Sequence, residues 1–116
     1  MSRPYVKGKK YTCKKLERRM LKDYPSIKVT KKKCPKGHYK GAMAVDPENE
    51  EFHFYRRDNN GFWSHKNGPT KANNTDYDGK QIRDPKKANR KSKVSKYNYS
   101  KFCNYYCIPH DLQQNK

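Results

Sequence analysis

Apolar positions are sparse along this chain, and where they recur they do so with two different periods. At 12–25, Cys13, Leu16, Met20 and Tyr24 fall at helical spacing on one face, while Lys14, Lys15, Arg18, Arg19 and Lys22 lie outside that stripe. Thr12 is suited to cap the first turn, and Pro25 ends the helix. Further on the period becomes two. Ile27 and Val29 alternate with polar residues up to the run Lys31, Lys32, Lys33. "HYKGAMAV" (38–45) reads as a strand in which Gly41 marks a bulge or a close backbone approach. "DPEN" (46–49) is turn chemistry, "EFHFYRRD" (51–58) alternates, Asn60-Gly61 is a hairpin signal, and "FWSHK" (62–66) returns. The polar stretch 67–95 has apolar anchors at Tyr77, Ile82, Ala88 and Val94. It reads as a long basic loop, held down at "IRDP", with a short helical turn near 86–90. "YSKFCNYYCIP" (99–109) supplies a last strand.

These elements sum to an α+β domain, one N-terminal helix packed on a four- to five-stranded antiparallel sheet. A basic arm at 1–11 precedes the single domain at 12–109, and a short tail occupies 110–116. The expected core is one cluster between helix and sheet: Leu16, Met20, Ile27, Val29, Met43, Val45, Phe52, Phe54, Trp63, Phe102 and Ile108. No stretch approaches the roughly 20 apolar residues of a membrane helix. The start, "MSRPYVKGKK", has no run able to serve as a signal peptide, which predicts an intracellular protein with reduced thiols.

Charge changes the picture most. In 116 residues, 29 Lys and Arg face 11 acids, a net charge of +18, and only 31% of the residues are hydrophobic. That balance leans towards disorder, opposed by an aromatic share of 13%. A surplus this large repels itself unless an acidic counterpart lies opposite. The candidate contacts are Lys9, Lys10, Lys14, Lys15, Arg18, Arg19, Lys31, Lys32, Lys33, Lys86, Lys87, Arg90, Lys91 and Lys93, with tyrosines interleaved. Capsid proteins, nucleic acid or an anionic membrane face would each serve as the partner, because cations bind phosphate without regard to sequence and rings stack on bases.

Other chemistries are thinner. Cys34 and His38 are spaced C-x3-H, and Cys103 and Cys107 are spaced C-x3-C, both looser than a zinc knuckle. On a strand, two residues four apart stand about 13 Å from each other, too far to share an ion. We therefore expect no metal and no cofactor, and cysteines that are structural. Whether His53 and His65 share a face depends on a register that sequence leaves open. Cys13, at a helix N-terminus where the dipole favours thiolate, and the later strand residue His53 follow the order of NlpC-type papain-like thiol hydrolases. A hydrolase using that pair is the alternative to a non-enzymatic binder.

As a set, "CPKGHYKGAMAVDP" (34–47), "FHFYRRDNNGFWSHKNG" (52–68), "DYDGKQIRDPKKANR" (76–90) and "YSKFCNYYCIP" (99–109) resemble an uncharacterised domain family of large DNA viruses of algae and amoebae, with scattered bacterial and eukaryotic members. Longer members carry an N-terminal Asn-Cys segment able to supply a nucleophile. This chain has "MSRPYVKGKKYT" there, which implies that such chemistry is lost. The resemblance, with a Lys- and Asn-rich composition, implies a virion component: a minor capsid protein or a genome-associated one. The alternative is a sequence-nonspecific nucleic-acid binder outside a virion, in host cytoplasm or nucleus.

Overall fold

A computed structural model describes residues 11–65 and 72–112. Helix α1 spans Cys13–Asp23, and Thr12 caps it by accepting a hydrogen bond from the Lys15 amide at 3.2 Å. Five strands follow: β1 Lys28–Val29, β2 His38–Asp46, β3 Glu51–Arg57, β4 Trp63–His65 and β5 Lys101–Pro109. They form one antiparallel sheet in the order β1-β5-β2-β3-β4. The last strand therefore inserts beside the first long one, and β2 and β5 lie at the centre.

The sheet is covered on both faces. On one face, Met43 and Val45 of β2 and Tyr106 and Ile108 of β5 pack with Ile27 and with Leu16 of α1. On the other, Ala42, Ala44, Tyr55 and Trp63 pack with Ile82 and Tyr99. The segment 72–100 makes this second cover. It is pinned by backbone bridges from Trp63 to Ile82 and from His65 to Asn73, and by a hydrogen-bonded turn in which the Lys87 and Ala88 amides donate to the Asp84 carbonyl. The expected single core is thus two half-cores, with Trp63 and Phe102 under the loop rather than under the helix.

Three expected core residues lie outside either layer. Phe52, Phe54 and Val29 are 44%, 37% and 41% exposed. The reason is width. One helix, about 10 Å across, shields roughly two strands spaced about 4.8 Å apart. α1 lies over β5, so the same-face side chains of β3 extend past it. Gly41 is a close approach rather than a bulge, since a Cβ there would stand 2.6 Å from Ile108 Cδ1. The bulge falls opposite, where Met43 pairs with Asn104 and Ala44 with Phe102, leaving Cys103 unpaired.

Two disulfides tie the layers to β5: Cys13 to Cys103 and Cys34 to Cys107. The expectation of reduced thiols is corrected here. Cys103 and Cys107 do not face each other; each reaches a distant partner. The bulge turns Cys103 to the helix side, whereas Cys107, between Tyr106 and Ile108, points to the opposite face.

Trp63, 5% exposed and packed among Ile82, Tyr105 and the β2 alanines, anchors the loop-side half-core. Trp63→Ala should destabilise the fold by about 3–5 kcal/mol, because so small a core cannot refill the cavity. Thermal unfolding checks this; an unchanged melting temperature would place the indole at the surface.

Candidate functional site

The hairpin register, open in the sequence, is settled by the pairing of Tyr55 with His65. His53, Tyr55 and His65 share the loop-side face, and His53 Nε2 lies 2.7 Å from His65 Nδ1. His65 Nε2 lies 2.8 Å from the Thr75 carbonyl oxygen, which can only accept. His65 therefore carries its proton on Nε2 and accepts at Nδ1 from the His53 N–H. The His53 ring also stacks on Tyr99, centroids 4.8 Å apart. Both histidines are buried, at 7% and 5% exposure, so the pair is a hydrogen-bonded link fastening loop to sheet.

Burial, and then the neighbouring His65, lower the His53 pKa from 6.5 to about 4. Between those values the unfolded chain binds a proton that the folded chain refuses. Stability is therefore full above pH 6.5 and falls towards pH 4, by about 3 kcal/mol from this residue. His53→Gln keeps an N–H donor at the same reach and should flatten that part of the stability–pH curve. An unchanged curve would assign the acid limb to other groups.

The thiol–imidazole pair of the hydrolase alternative is not assembled. Cys13 sulfur is bonded to Cys103 on the helix side of the sheet, and His53 is on the loop side. The Cys34 and Cys107 sulfurs are likewise bonded to each other, so neither C-x3 spacing presents a free thiolate. No group of three or more His, Cys, Asp or Glu with metal-site geometry occurs among the described residues.

The cations are disposed differently. Lys14, Lys15, Arg18 and Arg19 are exposed along α1, Lys31, Lys32 and Lys33 are exposed between β1 and β2, and Lys86, Lys87, Lys91 and Lys93 are exposed on the loop. Lys9 and Lys10 lie outside the described residues. Lys93 pairs with Asp78 at 3.1 Å, in solvent on both sides, where such a pair is worth little. Arg90 is different from the rest. Its guanidinium donates to the carbonyls of Tyr99, Pro85 and Lys86 at 2.7, 2.8 and 2.6 Å, clamping the loop to the start of β5. It serves the fold, not a surface.

Five of the acids are engaged by neutral donors within the fold. Glu17 accepts from the Tyr106 hydroxyl at 2.7 Å and the Asn104 amide at 2.9 Å. Asp46 accepts from Asn49 and from the Asn98 amide. Asp58 accepts from Ser64, Asp76 from the Asp78, Lys80 and Asn89 amides, and Asp84 from the Tyr105 hydroxyl and the Lys86 amide. Burial alone would raise the Asp46 and Asp76 carboxyls, but these amide donors bring both below their ordinary values. These carboxylates keep their negative charge, but their hydrogen bonds tie them to neutral donors of the fold rather than to lysine side chains, so the surplus of 29 cations over 11 acids stands. Lys40, Arg56, Arg57 and Arg83 were not among the expected contacts, although Lys40 ends a basic stretch at 28–40. Arg56 and Arg57 lie on β3 and Arg83 in the loop, and "YRRD" was the available signal.

Comparison with known proteins adds one partial likeness. Over 49 residues the chain is 57% identical to Insoluble matrix shell protein 1 of Ruditapes philippinarum. The match takes in 42% of this chain and 32% of that protein, so the chain spans about a third of this curated relative. No family model matches the chain, and no solved structure does. No helix among the described residues is long and apolar enough to cross a membrane.

Proposed function

We infer that this chain is a non-enzymatic structural protein that docks, through its cationic surface, on an acidic component of a larger assembly. One observation carries the reading. Glu17, Asp46, Asp58, Asp76 and Asp84 are engaged by hydroxyl and amide donors inside the molecule, while Lys14, Lys15, Arg18 and Arg19 of α1, Lys31, Lys32 and Lys33, and Lys86, Lys87 and Lys91 of the loop face solvent. Such a surface is stabilised by meeting its opposite sign.

Support for an assembly role comes from the partial relative, whose name places it in an insoluble shell matrix. A virion shell, implied by the motif resemblance, is an assembly of the same kind, with capsid protein or packaged nucleic acid as the acidic component. The two disulfides favour a protein that matures in an oxidising setting. Against catalysis stands the placement of Cys13 and His53 on opposite sides of the sheet, with the sulfur already bonded.

Sedimentation with an insoluble acidic polymer tests the reading. The oxidised protein should pellet with the polymer and return to solution in high salt. Covalent trapping of Cys13 by an electrophilic ester probe, with no pelleting, would reinstate the thiol hydrolase.

A further inference from the structure

At one end of the sheet, where the 31–37 segment, the start of β2 and the β3–β4 turn converge, lies an open cleft of about 1290 Å³. Lys31, Lys33, Lys40, Arg56, Arg57 and Arg83 line it. These cations are held in place by neutral groups. The Arg56 guanidinium sits 4.1 Å from the centroid of the Tyr39 ring, Arg83 lies 5.6 Å from that of Phe62, and the Lys40 ammonium donates to the Lys32 carbonyl. The two carboxylates in the wall, Asp58 and Asp84, already accept from Ser64 and Tyr105. Burial, and then the nearby Arg57, lower the Lys40 pKa. The cleft is a preorganised positive site in which six cations outnumber two carboxylates.

We propose that this cleft binds a sulfated polysaccharide chain, its cations meeting successive sulfate esters. This deepens the reading of a cationic structural protein and rests on it. The volume exceeds the roughly 300–1,000 Å³ of small-molecule pockets, which suits a polymer segment. Guanidinium forks match the planar pairs of oxygens on an oxyanion. Single-stranded nucleic acid is the less favoured polyanion, because it needs free ring faces for its bases. Here Arg56 covers Tyr39, Tyr105 packs on Trp63 and Phe102 with its hydroxyl tied to Asp84, and Trp63 is buried. The disulfides point the same way, since sulfated glycans belong to the oxidising side of membranes.

The test titrates dextran sulfate and oligothymidine into the oxidised protein at physiological salt. Trp63, the single tryptophan, lines the cleft and reports its occupancy by fluorescence. Two charge-removing triples are compared, Lys40→Gln/Arg56→Gln/Arg83→Gln and Lys14→Gln/Lys15→Gln/Arg18→Gln, each checked for an unchanged melting temperature. A cleft triple that fails this check is replaced by Arg56→Lys/Arg83→Lys, which retains charge but loses the fork, and which should weaken dextran sulfate without abolishing it. Dextran sulfate should bind more tightly than oligothymidine, and the cleft triple should weaken it by about tenfold or more while the helix triple changes it by less than about threefold. Equal loss in the two triples would overturn the cleft and leave the cationic-surface reading standing. Tighter binding of oligothymidine would overturn it in favour of nucleic acid. No binding of either polymer would overturn both readings.

Discussion

Reduction of the two disulfides should unfold this protein at ordinary temperature. The bridges close segments 90 and 73 residues apart. In chain-entropy terms a loop of that size is worth roughly 4–5 kcal/mol, against a total of about 5–15 kcal/mol for a typical domain. The rest of the fold has little in reserve. The hydrophobic share is low, the sheet is covered by one short helix and a loop, and like charges repel across the surface. Since both loops end on β5, their effects overlap and should sum to less than twice either. Cys13→Ala alone should lower stability by several kcal/mol, as should Cys34→Ala; Cys13 is thus a structural residue whose removal is felt in folding. Circular dichroism with and without reductant checks this. A reduced protein that keeps its sheet spectrum and melting temperature would show that the two half-cores suffice.

The second large effect concerns association. Reversing Lys14, Lys15, Arg18 and Arg19 to Glu lowers the net charge from +18 to +10 and turns the exposed side of α1 acidic. Leu16 and Glu17, which hold the helix to the sheet, are untouched, so folding should survive. Association with an acidic polymer should fall by at least about tenfold, because attraction at four positions becomes repulsion. A neutral control, the same positions changed to Gln, should fall between. Pelleting assays at one salt concentration read the difference, and equal pelleting of all three proteins would remove α1 from the binding surface.

Much of the fold was legible because its signals are local. Thr12, the Leu16–Met20 spacing and Pro25 mark the helix, and the alternation of 51–58 marks β3. Asn60-Gly61 marks the turn, where Gly61 has φ +87° and its amide donates to Asp58. What escaped was the long-range part. The alternation placed Phe52 and Phe54 on one face and His53 and Tyr55 on the other, but not which face would be covered. Period two is silent on how far a helix reaches across a sheet. The disulfide pattern was hidden by a single bulge: on a regular strand Cys103 and Cys107 face alike, and one extra residue sends them to opposite sides. Arg90 read as a surface cation because nothing local reveals three carbonyls waiting for it.

The cationic candidates were legible as a quantity rather than as a place. Counting charges raised the expectation of an acidic partner without showing that five of the acids would be engaged inside the fold. Nor could it show that Lys40, Arg56, Arg57 and Arg83, spread over 44 residues, would meet at one end of the sheet.

Affinity of the oxidised protein for a soluble acidic polymer, followed from low to high salt, is the most direct measurement of whether uncompensated charge drives this protein's association. The logarithm of the association constant should fall steeply and linearly with the logarithm of salt concentration, as ions displaced on binding are held back. An affinity that stays flat across the same range would contradict an electrostatic docking role.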